Sequence, residues 1–163
     1  MPTNQLLPID LAIPLVALSP LSRCEVCIIL PARDESARIE KCLLALARQI
    51  DLRGFQMPSD RYEVIVLANN CRDRTASLAR AFGLRHPGFI LHVVEMKLPP
   101  ERSFVGCARK LLMDEACRRL LALGRTKGVI ASTDADSFVE PTWVAAPPPA
   151  KRDQERQGAK KPG

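Results

Sequence analysis

Four short, nearly all-apolar runs, at residues 24–30, 62–68, 89–95 and 129–133, punctuate the chain and read as buried strands. Pro31 is expected to end the first, because proline cannot donate to a ladder. Between the runs, apolar residues recur at helical spacing. Ile39, Leu43, Leu46, Ala47 and Ile50 predict a helix to about Gln49, with Asp34 as its N-cap and Glu35 at the positive end of the helix dipole. Leu78, Ala79 and Phe82 predict a second, capped by Asp73 and stopped at Gly83. Val105, Ala108, Leu112, Ala116 and Leu120 predict a long helix over residues 104–123, ended by Gly124. Pro141-Thr142-Trp143 predicts the opening of another. Alternation of this kind predicts an α/β fold, a mainly parallel sheet with helices on both faces.

The two ends break the pattern. Residues 1–22 are mildly apolar, but Pro8, Asp10, Pro14 and Pro20 interrupt them and no basic segment precedes them. They read as a peripheral or disordered leader rather than a signal peptide or an anchor. Periodicity stops after Trp143, and residues 147–163 read as a disordered basic tail, which leaves residues 23–146 as the expected domain.

Charge and cysteine content narrow the picture. The net charge is +6, but half of that excess sits in the tail, where Lys151, Arg152, Arg156, Lys160 and Lys161 face Asp153 and Glu155. With one Trp and one Tyr in the whole chain, the body makes no case for nucleic acid. Six cysteines lie mostly in apolar-periodic segments without secretory context, so they read as reduced thiols of a cytoplasmic protein. Cys24 and Cys27 look like half a zinc site, but no second half follows. His86 and His92 show no partner spacing and are read as structural.

In an open α/β sheet, ligands bind beyond the carboxyl ends of the strands, where the strand order reverses. The polar clusters all fall at such ends. Pro31-Ala32-Arg33-Asp34-Glu35 follows the first strand, Asn69-Asn70-Cys71-Arg72-Asp73-Arg74-Thr75 the second, and Thr133-Asp134-Ala135-Asp136 the fourth. Asp134 and Asp136 are spaced to converge on one divalent cation, and hard oxygen ligands suit Mg2+ or Mn2+, which can hold a diphosphate. Arg109 and Lys110 stand near a helix start, where free N–H groups favour anions. Singly, each cluster has a plainer reading: helix caps, solvated loop charges, a wet helix face or a chance pair of aspartates. Their shared rim is what argues for a site.

At these residues the chain resembles the family 2 glycosyltransferases, which use a GT-A-type, Rossmann-like nucleotide-sugar-binding fold. Pro31-Ala32-Arg33-Asp34-Glu35 is similar to the family's Pro-Ala-x-Asn-Glu, and residues 66–75 to its Val-Val-Asp-Asp-Gly-Ser-x-Asp-x-Thr. Gly106-Cys107-Ala108-Arg109-Lys110 takes the place of its Gly-x-Ala-x-Ala-Arg-Asn segment, and Asp134-Ala135-Asp136 that of its metal motif. The resemblance implies that Pro31, Ala32 and Glu35 line a nucleotide pocket, with Asn69 and Asn70 near the base. Asp134 would face the ribose or a metal-bound water, Asp136 would ligate the metal, and Arg109 or Lys110 would balance diphosphate charge. The implied reaction moves a sugar from a nucleotide-diphospho-sugar donor to an acceptor hydroxyl with inversion.

Two departures qualify the likeness. Ala68 and Asn69 stand where the family has paired aspartates, so donor choice is open. Nothing after Trp143 resembles the acceptor half that carries the general base, so no base is named. The expectation is a donor half, incomplete at its C-terminus through a shifted frame or an early stop, with weak or no transferase activity. Peripheral attachment to the inner face of a membrane, known among relatives that act on lipid-linked acceptors, stays open. So does self-association through the sheet edge that the missing half would cover. The alternative reading is a non-catalytic nucleotide-binding remnant or interaction module. A nucleotidyltransferase would open with a glycine-rich phosphate loop, which Pro31-Ala32-Arg33-Asp34 lacks.

Overall fold

The computed structural model describes residues 13–145; the basic tail lies outside them. Four strands, β1 (Val26–Ala32), β2 (Tyr62–Asn69), β3 (Leu91–Met96) and β4 (Val129–Ser132), form one parallel sheet in the order β3-β2-β1-β4. The helices are α1 (Ile39–Ala47), α2 (Thr75–Arg85) and α3 (Val105–Ala122), with a single 3₁₀ turn at Pro100–Arg102 before α3.

Strand alternation deals the apolar side chains to two faces. Ile28 and Leu30 of β1, with Val64 and Val66 of β2, pack against α1 and α2 through Ile39, Leu43, Leu46 and Phe82. Cys27, Ile29, Ile65 and Leu67 point the other way, onto Ala108, Leu112, Ala116 and Leu120 of α3. The two-faced cover expected from the sequence is present. Its connectivity matters for function. From β1 to β3 the chain steps outward in one direction, then crosses under the sheet through α3 and returns on the far side of β1. The strand order therefore reverses between β1 and β4, which opens a crevice at their carboxyl ends.

Several boundaries differ from those the sequence predicts, each for a local reason. Pro31 lies inside β1 rather than ending it. Val129 N–H donates to the Glu25 carbonyl and Thr133 N–H to that of Ile29, so odd-numbered β1 residues turn their backbone groups toward β4. Pro31 faces that same flank beyond the end of β4, where no ladder bond is asked of its nitrogen. Asp34 caps no helix, because α1 starts at Ile39 behind an Arg38 without a side-chain cap. Gly83 sits within α2 instead of stopping it. Residues 141–145 make turns, not a helix. The described part of the leader is ordered against α3: Leu15 and Val16 donate their amides to the Glu115 carboxylate at 3.2 and 3.3 Å.

A buried charge cluster interrupts the nearly all-apolar run of residues 62–68. Glu63 and Arg119 are 1% and 0% exposed, and both guanidinium nitrogens Nε and Nη2 donate to the carboxylate at 2.7 Å. His92 Nε2 stands 3.1 Å from Glu63 Oε2. Burial pushes the Glu63 carboxyl up, yet the hydrogen bonds and charges of Arg119 and His92 outweigh it and hold the group down at about 2.

Gly124 ends α3 as predicted, at φ +67°, a conformation that favours glycine. Gly128, at the entry to β4, is needed for space. A Cβ there would lie 3.0 Å from both the Arg125 carbonyl oxygen and Leu120 Cδ2. Gly128→Ala should cost about 1–3 kcal/mol in urea unfolding; an unchanged midpoint would contradict so close an approach.

Candidate functional site

The crevice at the strand-order reversal holds a cavity of about 300 Å³. Pro31, Ala32 and Arg33 line it from the end of β1, Asn69 from the end of β2, Val105, Ala108 and Arg109 from the first turns of α3, and Asp134 and Asp136 from the loop after β4. Glu35 and Ser103 complete the rim. Of the residues the sequence singled out, the structure thus gathers Pro31, Ala32, Glu35, Asn69, Arg109, Asp134 and Asp136 around one space.

Asn70 and Lys110 are not among them. Asn70 has φ +52°, a left-handed turn that carries its side chain toward the loop after β3. There its Nδ2 donates to the Leu98 carbonyl at 2.8 Å and its Oδ1 accepts from the Leu98 amide at 3.0 Å, so both ends of the amide are spent on that loop. It lines a neighbouring depression with Arg33, Arg72 and Lys97. Lys110 points outward, 75% exposed, and pairs with Asp114 one turn along α3 at 2.6 Å. Helical spacing explains the separation, since adjacent residues lie about 100° apart and Arg109 alone takes the inward position.

The loop bearing the aspartates is fixed from beneath. Ala135 is 2% exposed and packs into the core beside α1, forming the floor of the cavity between Asp134 and Asp136. Cys42 of α1 donates its thiol to the Asp134 carbonyl at 3.7 Å. Burial, then the negative charges of Asp136, Asp134 and Glu35, push that thiol up to about 12, so it stays a neutral donor. The segment that follows is tied to α1 by Gln49, whose buried amide donates to the Glu140 carbonyl at 3.0 Å and accepts from Val144 N–H at 2.8 Å. Ala135→Leu should overfill this seat, costing about 1–3 kcal/mol and displacing both carboxylates. Thermal melts and divalent-metal titration would register it together; a variant with native metal affinity would show that Ala135 does not set the loop.

The other loops are laced to each other. Asp34 accepts from the Arg72 amide at 2.6 Å, and Asp73 accepts from the Ser36 amide at 3.0 Å and from Thr75 N–H and Oγ1–H at 2.9 and 2.5 Å. Desolvation pushes the Asp73 carboxyl up, but these hydrogen bonds hold it well below the usual carboxylate range. Asp34 and Asp73 are thus staples between the β1 and β2 loops rather than simple caps. With Cys71 they form the one three-ligand cluster among the described residues, but their oxygens are already engaged in this lacing. The Asp-x-Thr spacing of Asp73 and Thr75 was the visible signal for it.

Asn69 is 2% exposed; its Nδ2 donates to the Ser103 carbonyl at 2.9 Å, a carbonyl that also takes Arg33 Nη1 at 3.1 Å. Its Oδ1 is buried at the cavity without a partner, an acceptor in want of a donor. Arg109 Nη2 donates to Asp134 Oδ1 at 2.8 Å, with side chains 37% and 50% exposed, while its Nε is buried and unpartnered. Together the cavity offers the carboxylates of Glu35, Asp134 and Asp136, the guanidiniums of Arg33 and Arg109, and one orphaned acceptor. That donor set fits a magnesium-type cation, which commonly takes one or two carboxylates and completes its shell with phosphate and water. The six cysteines carry free thiols, and Cys24 and Cys27 donate to Val26 and Glu63 instead of gathering a metal. No helix among the described residues is long and apolar enough to cross a membrane.

Comparison with known proteins places this architecture. The family model for glycosyl transferase family 2 matches residues 27–146. Among curated proteins none matches. S. aureus TarS 1–349 in complex with UDP-GlcNAc is similar in structure, with a TM-score of 0.53 at 18% identity over 72% of this chain and 28% of that one. Its complex with UDP gives 0.50 at 18% identity, over 74% and 30%. The mannosyltransferase PcManGT of Pyrobaculum calidifontis, in complex with GDP-Man and Mn2+, is 26% identical over 81% of this chain and 35% of that one, with a TM-score of 0.49. The chain therefore spans 28–35% of the length of these solved structures.

Proposed function

The chain belongs to glycosyl transferase family 2, and from that premise we propose that its crevice binds the nucleoside diphosphate of a nucleotide-sugar donor together with a divalent cation. The observation that carries this reading is the convergence of Asn69, Arg109, Asp134 and Asp136 on one cavity at the strand-order reversal. Asn69 Oδ1 is suited to accept an N–H of the base, which would satisfy a buried oxygen that otherwise has no partner. Pro31 and Ala32 supply a flat, apolar wall for the nucleoside at the end of β1. Asp134 and Asp136 would hold the cation, Mg2+ or Mn2+, and Arg109 would meet phosphate oxygens. When bound, the cation stabilises the negative charge that develops on the departing diphosphate.

Transfer of the sugar to an acceptor hydroxyl with inversion is the reaction such a donor site serves. Among the described residues the carboxylates at the cavity are Glu35, Asp134 and Asp136. Glu35 pairs with Arg38 at 3.3 Å, and the two aspartates are committed to the cation in this reading. The acceptor and its general base are therefore left unnamed. We place the protein on the cytoplasmic side, where its free thiols stay reduced.

Titration calorimetry with UDP-GlcNAc and GDP-mannose, with and without Mn2+, tests the reading. Binding of at least one of them that strengthens when Mn2+ is present is the expected result. If uridine and guanosine nucleotide sugars all failed to bind with the metal present, the donor-site reading would be overturned.

A further inference from the structure

Asp134 has a cationic partner within the chain itself. Arg109 Nη2 sits 2.8 Å from Asp134 Oδ1, and neither side chain is deeply buried, so the pair is made by two groups free to change partners. The guanidinium is underused in this arrangement, because its Nε is enclosed at the cavity wall with no acceptor. Arg has five N–H donors in a fixed fork that suits phosphate oxygens. An anion entering the cavity would therefore offer Arg109 more acceptors than Asp134 does.

We propose that Arg109 is an internal counter-ion that occupies Asp134 until the nucleotide arrives, so that the divalent cation enters with the diphosphate rather than before it. This inference rests on the donor-site reading. A lone cation must displace a guanidinium from Asp134 and then tolerate a second positive charge beside it. A cation arriving with a diphosphate meets no such obstacle, since the phosphates draw Arg109 away and supply oxygen ligands to the metal. Arg109 acts here as a positioning residue, and its effect is a coupling between two ligands: metal raises nucleotide affinity and nucleotide raises metal affinity by the same factor.

The test is Mn2+ binding followed by electron paramagnetic resonance, on the whole chain and without nucleotide, so that no turnover enters the readout. Arg109→Gln should bind Mn2+ roughly fivefold more tightly than the native chain, the scale of a half-exposed ion pair. Arg109→Lys, which keeps the charge but loses the fork, should fall between the two. The gain should be absent when Arg109→Gln is made in an Asp134→Asn background, because the guanidinium acts through that carboxylate. Circular dichroism of each variant should match the native chain, since Arg109 is partly exposed on α3. No gain in Arg109→Gln, or a gain that persists without Asp134, overturns the inference. If the native chain binds Mn2+ with UDP but Arg109→Gln shows no gain, only the counter-ion role falls. If no variant binds Mn2+ with or without UDP, the donor-site reading falls with it.

Discussion

Arg119→Met should destabilise the fold by about 3–5 kcal/mol, because it leaves the Glu63 carboxylate buried without its bidentate partner. Glu63 and Arg119 are 1% and 0% exposed, so water cannot replace what is lost. The same change removes the bond from Arg119 Nη1 to the Leu18 carbonyl, at 2.6 Å, and should loosen the segment over α3 to proteolysis. The double variant Glu63→Leu with Arg119→Met should recover most of the loss, since an apolar pair needs no charge partner. Urea unfolding of the three chains settles it; a loss below about 1 kcal/mol in Arg119→Met would put the pair on the footing of an exposed salt bridge.

The pH dependence follows from the same cluster. Glu63 is held at about 2 in the fold, below its ordinary value of 4.5, so its pairing adds stability above that ordinary value. The contribution fades as pH falls from about 4.5 toward 2. Glu63→Gln should flatten the acid side of the stability profile in that window.

Asp136→Asn should remove the metal-dependent part of nucleotide binding, weakening it by more than about tenfold, and Asp134→Asn should act in the same direction. Asp136 is exposed and Asp134 half-exposed, so neither change should alter the melting profile by more than about 0.5 kcal/mol. Loss of binding with an intact fold is the signature of ligands, whereas loss of both would mark the aspartates as structural. Calorimetric titration of each variant with UDP and Mn2+, alongside thermal melts, separates these outcomes.

Much of this was legible before the fold was seen. Apolar runs and helical spacing marked the four strands and three helices of the described residues, most strongly in β1 and β2, where burial on both faces calls for an apolar residue at nearly every position. That Asp134 and Asp136 share a rim with the loops after β1 and β2 was legible for a different reason: all three clusters follow the carboxyl ends of parallel strands. What failed to show were features set by contacts distant in the chain. Glu63 hid inside an apolar run because its partner lies 56 residues away on α3. Asn70 looked like a base contact, but a left-handed turn gives it to Leu98, and no local pattern announces that. Arg109 and Lys110 were indistinguishable by sequence until the rotation of α3 turned one inward and the other to solvent. Gln49 reads as an ordinary end to a helix, yet it fastens the segment after the aspartates.

The central claim is that metal and diphosphate meet at the crevice between β1 and β4. Paramagnetic broadening by Mn2+, read on amide resonances of the chain saturated with UDP, tests it most directly. Signals of Ala32, Asn69 and residues 134–137 should vanish first, while those of residues 124–128, at the opposite end of β4, stay sharp. Broadening centred instead on Ser36, Arg72 and Thr75, beside the Asp34 and Asp73 cluster, would contradict the account.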